Sequence, residues 1–172
     1  MSKVETINFF SENYNCRDCF NNPRIIISYQ QFQVTNIEGP QPRWIGKKYF
    51  ESRKKICLML INPGSGNNTP DKEWEPLKLL HLEKNKDQKI DLWNQLMKTN
   101  KDGMDKWGKW KSLYLDRFGF NEDKKLNEIS FMNKMLCAAW YLDKSGNLTN
   151  AYNPKSLENC FRLKSNSLLK IL

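Results

Sequence analysis

The chain of 172 residues contains no unbroken apolar run long enough to cross a bilayer as a helix. Its first residues, Met1-Ser2-Lys3-Val4-Glu5-Thr6, lack the basic and then apolar order of a secretory leader. The expected location is therefore the cytoplasm. Internal repeats and low-complexity tracts are missing as well, which excludes a solenoid or a disordered tail. Acidic residues are few for the number of basic ones, 19 against 28, giving a net charge of +9 and a pI near 9.3. That balance disfavours acidic partners and favours a polyanion, nucleic acid first. The bland alternative is a Lys-rich chain whose charges only solvate it. The five cysteines do not make a disulfide framework in a reducing compartment.

The length suits one domain, 1–172, with a real core. The most informative stretch is Ile56-Cys57-Leu58-Met59-Leu60-Ile61-Asn62-Pro63-Gly64-Ser65-Gly66. Its apolar run predicts a strand over 56–61 buried on both faces, as in a parallel sheet. Ligand sites in open α/β sheets lie just beyond the carboxyl ends of such strands. Asn62 stands at that end, Pro63 stops the ladder, and Gly64 and Gly66 allow close backbone approach. An ordinary Asn-Pro-Gly turn explains the same residues.

Periodicity predicts a helix over 1–15 and another over 76–98, with Leu77, Leu80, Ile90, Trp93, Leu96 and Met97 at helical spacing. Trp107, Trp110 and Leu113 suggest a third over 105–114, and Pro154 opens a last one to Leu172 with Asn153 as its cap. A second strand is expected over 129–137. Residues 23–29 read as a short strand or extended segment. Residues 39–46, 67–76 and 143–153 read as loops. The pattern is α/β, with only two convincing strands, too few for a sheet that stands alone.

Cys16-Arg17-Asp18-Cys19 forms a CxxC pair, a weak metal signal until further ligands join it. Cys57 reads as a buried small hydrophobe. Cys137 and Cys160 lie far along the chain.

Taken in order, these pieces resemble the uracil-DNA glycosylase superfamily, closest to its iron–sulfur branch. Ile61-Asn62-Pro63-Gly64 resembles the first active-site motif of the mismatch-specific branch. Met132-Asn133-Lys134-Met135-Leu136-Cys137 resembles the second strand of the iron–sulfur branch. Asn153-Pro154-Lys155-Ser156-Leu157-Glu158-Asn159-Cys160 resembles the helix start that delivers a cluster cysteine. The resemblance implies a parallel-sheet, three-layer glycosylase-like α/β fold, with an enlarged helical region at about 78–125. It implies that Asn62 positions the attacking water and that Asn133 reads the edge of an extruded base. Pro63 and Gly64 would line the base site, and Trp74 falls near the family's stacking ring. Cys16, Cys19, Cys137 and Cys160 would hold a [4Fe–4S] cluster. Zinc, or no metal, remains the alternative.

The implied activity is hydrolysis of the N-glycosidic bond of uracil or a related damaged pyrimidine in DNA, by a monomer in base excision repair. The family's second catalytic motif, centred on a histidine, has no counterpart here. The one histidine, His81, is in another context, so 1–172 correspond to the N-terminal two-thirds of such a domain, C-terminally incomplete. A nucleic-acid-binding protein of the same fold without activity, and a small zinc-stabilised interaction module, stay open beside the enzyme. Asp71, Glu73 and Glu75 read as solvated loop charges. Lys47, Lys48, Arg53, Lys54, Lys55, Lys106, Lys109 and Lys111 are candidate phosphate contacts.

Overall fold

The computed structural model describes residues 2–16, 34–60, 70–104, 115–120, 123–133, 136–142, 145, 148–150, 158 and 160–172. Within them the chain is a mixed α/β protein built around two three-stranded sheets. The expected strand 23–29, helix 105–114 and cap Asn153 lie outside these residues.

Helix α1 (Lys3–Glu12) starts on a complete capping box. The Ser2 hydroxyl accepts the Glu5 N–H at 3.3 Å, and the Glu5 carboxylate accepts the Ser2 N–H at 2.7 Å. Two orphan donors of the first turn are thereby satisfied. Ile7, Phe9 and Phe10 are buried, and the Phe10 ring lies 5.8 Å from that of Trp93. A fully buried side chain of this size contributes about 1.5–3 kcal/mol.

The single helix expected over 76–98 is two, α2 (Pro70–Leu82) and α3 (Lys86–Met104). The break has a local cause. The Glu83 carboxylate accepts the N–H groups of Lys84 and Asn85, both at 2.7 Å. Asn85 then caps α3 by accepting from Asp87 and Gln88 at 2.9 and 3.1 Å. The expected loop 67–76 is also corrected, since α2 begins at Pro70, a residue suited to a first helical turn. Asp71, Glu73, Trp74 and Glu75 are therefore helical, and Pro76 lies inside α2.

In the first sheet the order is β2-β4-β3, with β2 (Trp44–Ile45) antiparallel and β3 (Ile56–Leu60) parallel to β4 (Ile129–Asn133). Every residue of β4 is buried. β3 is not buried on both faces as its apolar run suggested. It is the outer strand, with Ile56 and Met59 exposed. The expected strand 129–137 divides. β4 ends at Asn133, and Cys137 opens β5 (Cys137–Leu142) in the other sheet. There β5 lies between β1 (Val34–Pro40) and β6 (Leu148–Asn150), antiparallel to both. β6 lies in the expected loop 143–153, and β2 and the end of β1 lie in the expected loop 39–46; glycines, prolines and polar residues hide these strands in the sequence, and the partner of β1 is remote along the chain.

Gly46 joins β2 to the turn that leads into β3. A Cβ there would run into the backbone carbonyl of Asn127, so the approach of two backbones requires glycine. Gly46 N–H donates to Ile129 at 3.0 Å and Lys48 N–H to Asn127 at 2.9 Å. Trp44 adds an indole N–H bond of 2.8 Å to the Leu126 carbonyl beside α4 (Asp123–Leu126). At the carboxyl end, a π-helical turn (Phe161–Ser165) runs into α5 (Asn166–Ile171), which packs on α1. Leu168 completes the core there.

Candidate functional site

β4 and β3 run in parallel register, Ile56 opposite Ile129 and so on to Leu60 opposite Asn133. Asn133 is thus the carboxyl-terminal residue of the buried inner strand, level with Leu60. Asn62 follows Leu60 by two residues, but it lies outside the described residues with Pro63 and Gly64. The backbone of Trp74 is in α2, and its side chain is outside the described set.

Asn133 is completely buried, at 0 % exposure. Neither its Oδ1 nor its Nδ2 has a hydrogen-bond partner among the described residues. A carboxamide stripped of water without replacement partners costs about 1–3 kcal/mol for each unsatisfied group. Buried polar side chains in folded proteins overwhelmingly find partners. A carboxamide carries both donor and acceptor, so it is chemically matched to an edge that presents one of each. Strand alternation places Asn133 on the face of Ile129 and Phe131, and Ser130 on the opposite one.

That opposite face holds a separate polar group. Ser130 lies opposite Cys57 in the β3–β4 register and is itself fully buried. Burial pushes the Cys57 thiol above its ordinary value, and the neighbouring Ser130 hydroxyl pulls part of the way back. Burial likewise raises the Tyr49 phenol, again with Ser130 opposing it. Cys57, expected to be buried, is only half-buried because β3 is the outer strand of its sheet. Ser130 was invisible in the sequence because a serine inside an apolar run signals nothing by itself.

The segments carrying three of the four other cysteines converge. The Cys160 sulfur accepts the N–H of Leu136 at 3.3 Å, one residue before Cys137. One turn after Cys160, the Lys164 ammonium donates to the Asn13 side chain at 2.8 Å. The Asn13 carbonyl accepts the Cys16 N–H at 2.9 Å. Cys19 and the Cys137 side chain lie outside the described residues. Among the described residues, no three His, Cys, Asp or Glu side chains form a group that could hold a metal ion.

His81 has a structural position at the end of α2. It lies 2.7 Å from the Ser11 carbonyl through Nδ1, stacks on Tyr14 at 5.0 Å, and approaches the Asn15 amide at 3.4 Å through Nε2. An Nδ1–H tautomer satisfies both polar contacts. The ring fastens the end of α1 to α2.

Lys47, Lys48, Arg53, Lys54 and Lys55 are all exposed and sit at the amino end of β3, the end away from Asn133. Lys106, Lys109 and Lys111 are outside the described residues. No helix among the described residues is long and apolar enough to cross a membrane. No family model, curated protein or solved structure matches this chain.

Proposed function

We propose that this protein is a uracil-DNA glycosylase-like domain, of the three-layer parallel-sheet type, that binds DNA and hydrolyses the N-glycosidic bond of uracil or a related damaged pyrimidine. One observation carries the reading. A wholly buried carboxamide, Asn133, ends the inner strand of a parallel pair with its donor and acceptor both unpaired among the described residues. A pyrimidine edge carrying a carbonyl and a ring N–H answers both atoms. Such a base reaches a buried site only when taken out of the stack.

In this reading Asn62 holds the attacking water. Pro63, Gly64 and the turn that follows line the base, and Trp74 supplies the stacking ring. The bond between the sugar C1′ and the base nitrogen breaks, with its electron pair leaving on the base. The water oxygen bonds to C1′ and its proton passes to the departing base or to solvent. Backbone N–H groups of the 64–66 turn stabilise the anionic base. Asn62 is neutral and cannot act as a strong base, so turnover is slow.

Cys16, Cys19, Cys137 and Cys160 would together hold a [4Fe–4S] cluster, with zinc as the alternative. The convergence of the Cys16, Cys137 and Cys160 segments supports it. A bound centre would supply a structural clamp between α1, the start of β5 and the last helix.

A second reading is a glycosylase-fold nucleic-acid binder without hydrolysis. The commitment of His81, the one histidine, to fastening α1 favours it. The test is alkaline cleavage of an oligonucleotide holding one uracil after incubation with the protein. The enzyme reading expects strand scission that Asn62→Ala abolishes. Intact DNA with retained uracil-selective binding selects the second reading. Neither scission nor selective binding overturns both.

A further inference from the structure

The turn between β2 and β3 has a charge pattern that the strand-tip site does not use. Between Gly46 and Ile56 stand five cationic side chains and one acidic one, Glu51. The turn is pinned to the amino end of β4 by the Gly46–Ile129 and Lys48–Asn127 hydrogen bonds, and no side chain fits at Gly46. Tyr49 is buried beneath it.

Lys55 is committed to this support. Its ammonium donates to the Tyr49 carbonyl at 2.8 Å and lies 5.0 and 5.4 Å from the Tyr49 and Phe50 ring centres. Lys47, Lys48, Arg53 and Lys54 are left exposed around the anchored turn. Lys3, at the start of α1, extends the cluster. Burial holds its ammonium below the ordinary value, repulsion from Lys47 adds to that, and Asp91 opposes it. Two ammonium groups close enough to repel mark a surface that gains from a bound anion.

We propose that the Gly46–Lys55 turn is a phosphodiester-backbone dock at the opposite end of the β3–β4 pair from Asn133. It rests on the glycosylase-like reading only in taking nucleic acid as the polyanion. Four residue steps separate Ile56 from Leu60, about 13 Å at the usual strand rise. A nucleic-acid strand covers that span in about four nucleotides at its axial rise. The dock therefore holds flanking backbone, independent of sequence and of any damaged base.

The experiment measures binding of an undamaged 20-base-pair duplex by fluorescence anisotropy across a salt series. Uracil is left out so that failure of excision has no bearing on the result. The patch variant replaces Lys47, Lys48, Arg53 and Lys54 with alanine. A control variant removes the same charge from the helical region, at exposed Lys78, Lys84, Lys86 and Lys98. Each neutralised phosphate contributes about 0.9 to the slope of log affinity against log salt. The patch variant is expected to lower that slope by roughly 3 and weaken binding at least tenfold at low salt, with an unchanged melting temperature. The control is expected to change it by less than about 1. Equal losses in patch and control variants, an unchanged patch variant, or no duplex binding by the parent overturn the proposal. So does a patch variant that loses binding to phosphatidylserine vesicles but not to DNA, which would assign the turn to a membrane surface.

Discussion

Replacing Asn133 with leucine, a side chain of similar size, is expected to make the protein more stable while destroying its proposed recognition function. The carboxamide has surrendered its hydration at 0 % exposure and has no hydrogen-bond partner among the described residues. Each unsatisfied buried group costs about 1–3 kcal/mol. Replacement by an apolar side chain of like shape removes that cost and adds apolar burial beside Ile129 and Phe131. Imperfect fit of the branched side chain in a packed core takes back about 1 kcal/mol. The expected net gain is about 1–3 kcal/mol. At about 2–4 °C for each kcal/mol in a chain of this length, the melting temperature rises by about 2–12 °C. Urea unfolding followed by tryptophan fluorescence, with an unchanged denaturant slope, measures it. A loss of more than about 1 kcal/mol refutes the reasoning, because it would mean that the carboxamide is already hydrogen-bonded in the free protein. Stability gained where function is lost is the usual mark of a group kept for its ligand.

Gly46→Ala drives a methyl group into the Asn127 carbonyl and is expected to destabilise by about 1–3 kcal/mol, read by the same urea assay. Ser2→Ala removes the capping-box acceptor of α1 and is expected to cost about 0.5–2 kcal/mol, visible as a lower urea midpoint. Cys57 and Tyr49 contribute to the alkaline limb of stability, since their folded values are both raised by burial. Their protonated forms favour the fold. Stability is therefore fully present below the unfolded values of 9.0 and 10.0. It is lost as pH rises through them toward the higher folded values. Cys57→Ala is expected to flatten the lower part of that decline in pH-dependent melts, and an unchanged slope between pH 8.5 and pH 10 would refute it.

The parts of this fold legible in the sequence are those whose signals are local. The apolar run before Asn62 marks β3, the first half of the expected strand 129–137 is β4, and their parallel pairing matches the α/β pattern. Helical spacing of Leu77, Leu80, Trp93, Leu96 and Met97 correctly marked buried positions. It did not reveal that Glu83 and Asn85 divide the segment, since those side chains act through hydrogen bonds rather than hydrophobic period. An apolar run cannot report whether its strand is central or at an edge, which is why β3 was expected to be buried and is half-exposed. The second sheet was missed because β1 and β5 are separated by the whole first sheet in sequence. Of the candidate site, Asn133 is singled out by the resemblance, and only the fold shows that it ends β4 instead of lying inside a strand that runs to Cys137. Its lack of partners among the described residues is a property of three-dimensional packing alone. The neighbourhood of Cys160 and Leu136 depends on the path of the chain through β5, which no spacing reveals.

The central claim is that Asn133 reads a pyrimidine edge, and it is tested most directly by a ratio of affinities. Anisotropy is measured for a duplex with one uracil opposite guanine and for the same duplex with cytosine there, using the parent protein and Asn133→Ala. A carboxamide paired to both atoms of a base edge is worth about 1–3 kcal/mol of discrimination. The parent should therefore prefer the uracil duplex by at least about fivefold, and the variant should bind both alike. A parent without preference, or a variant that keeps it, contradicts the account.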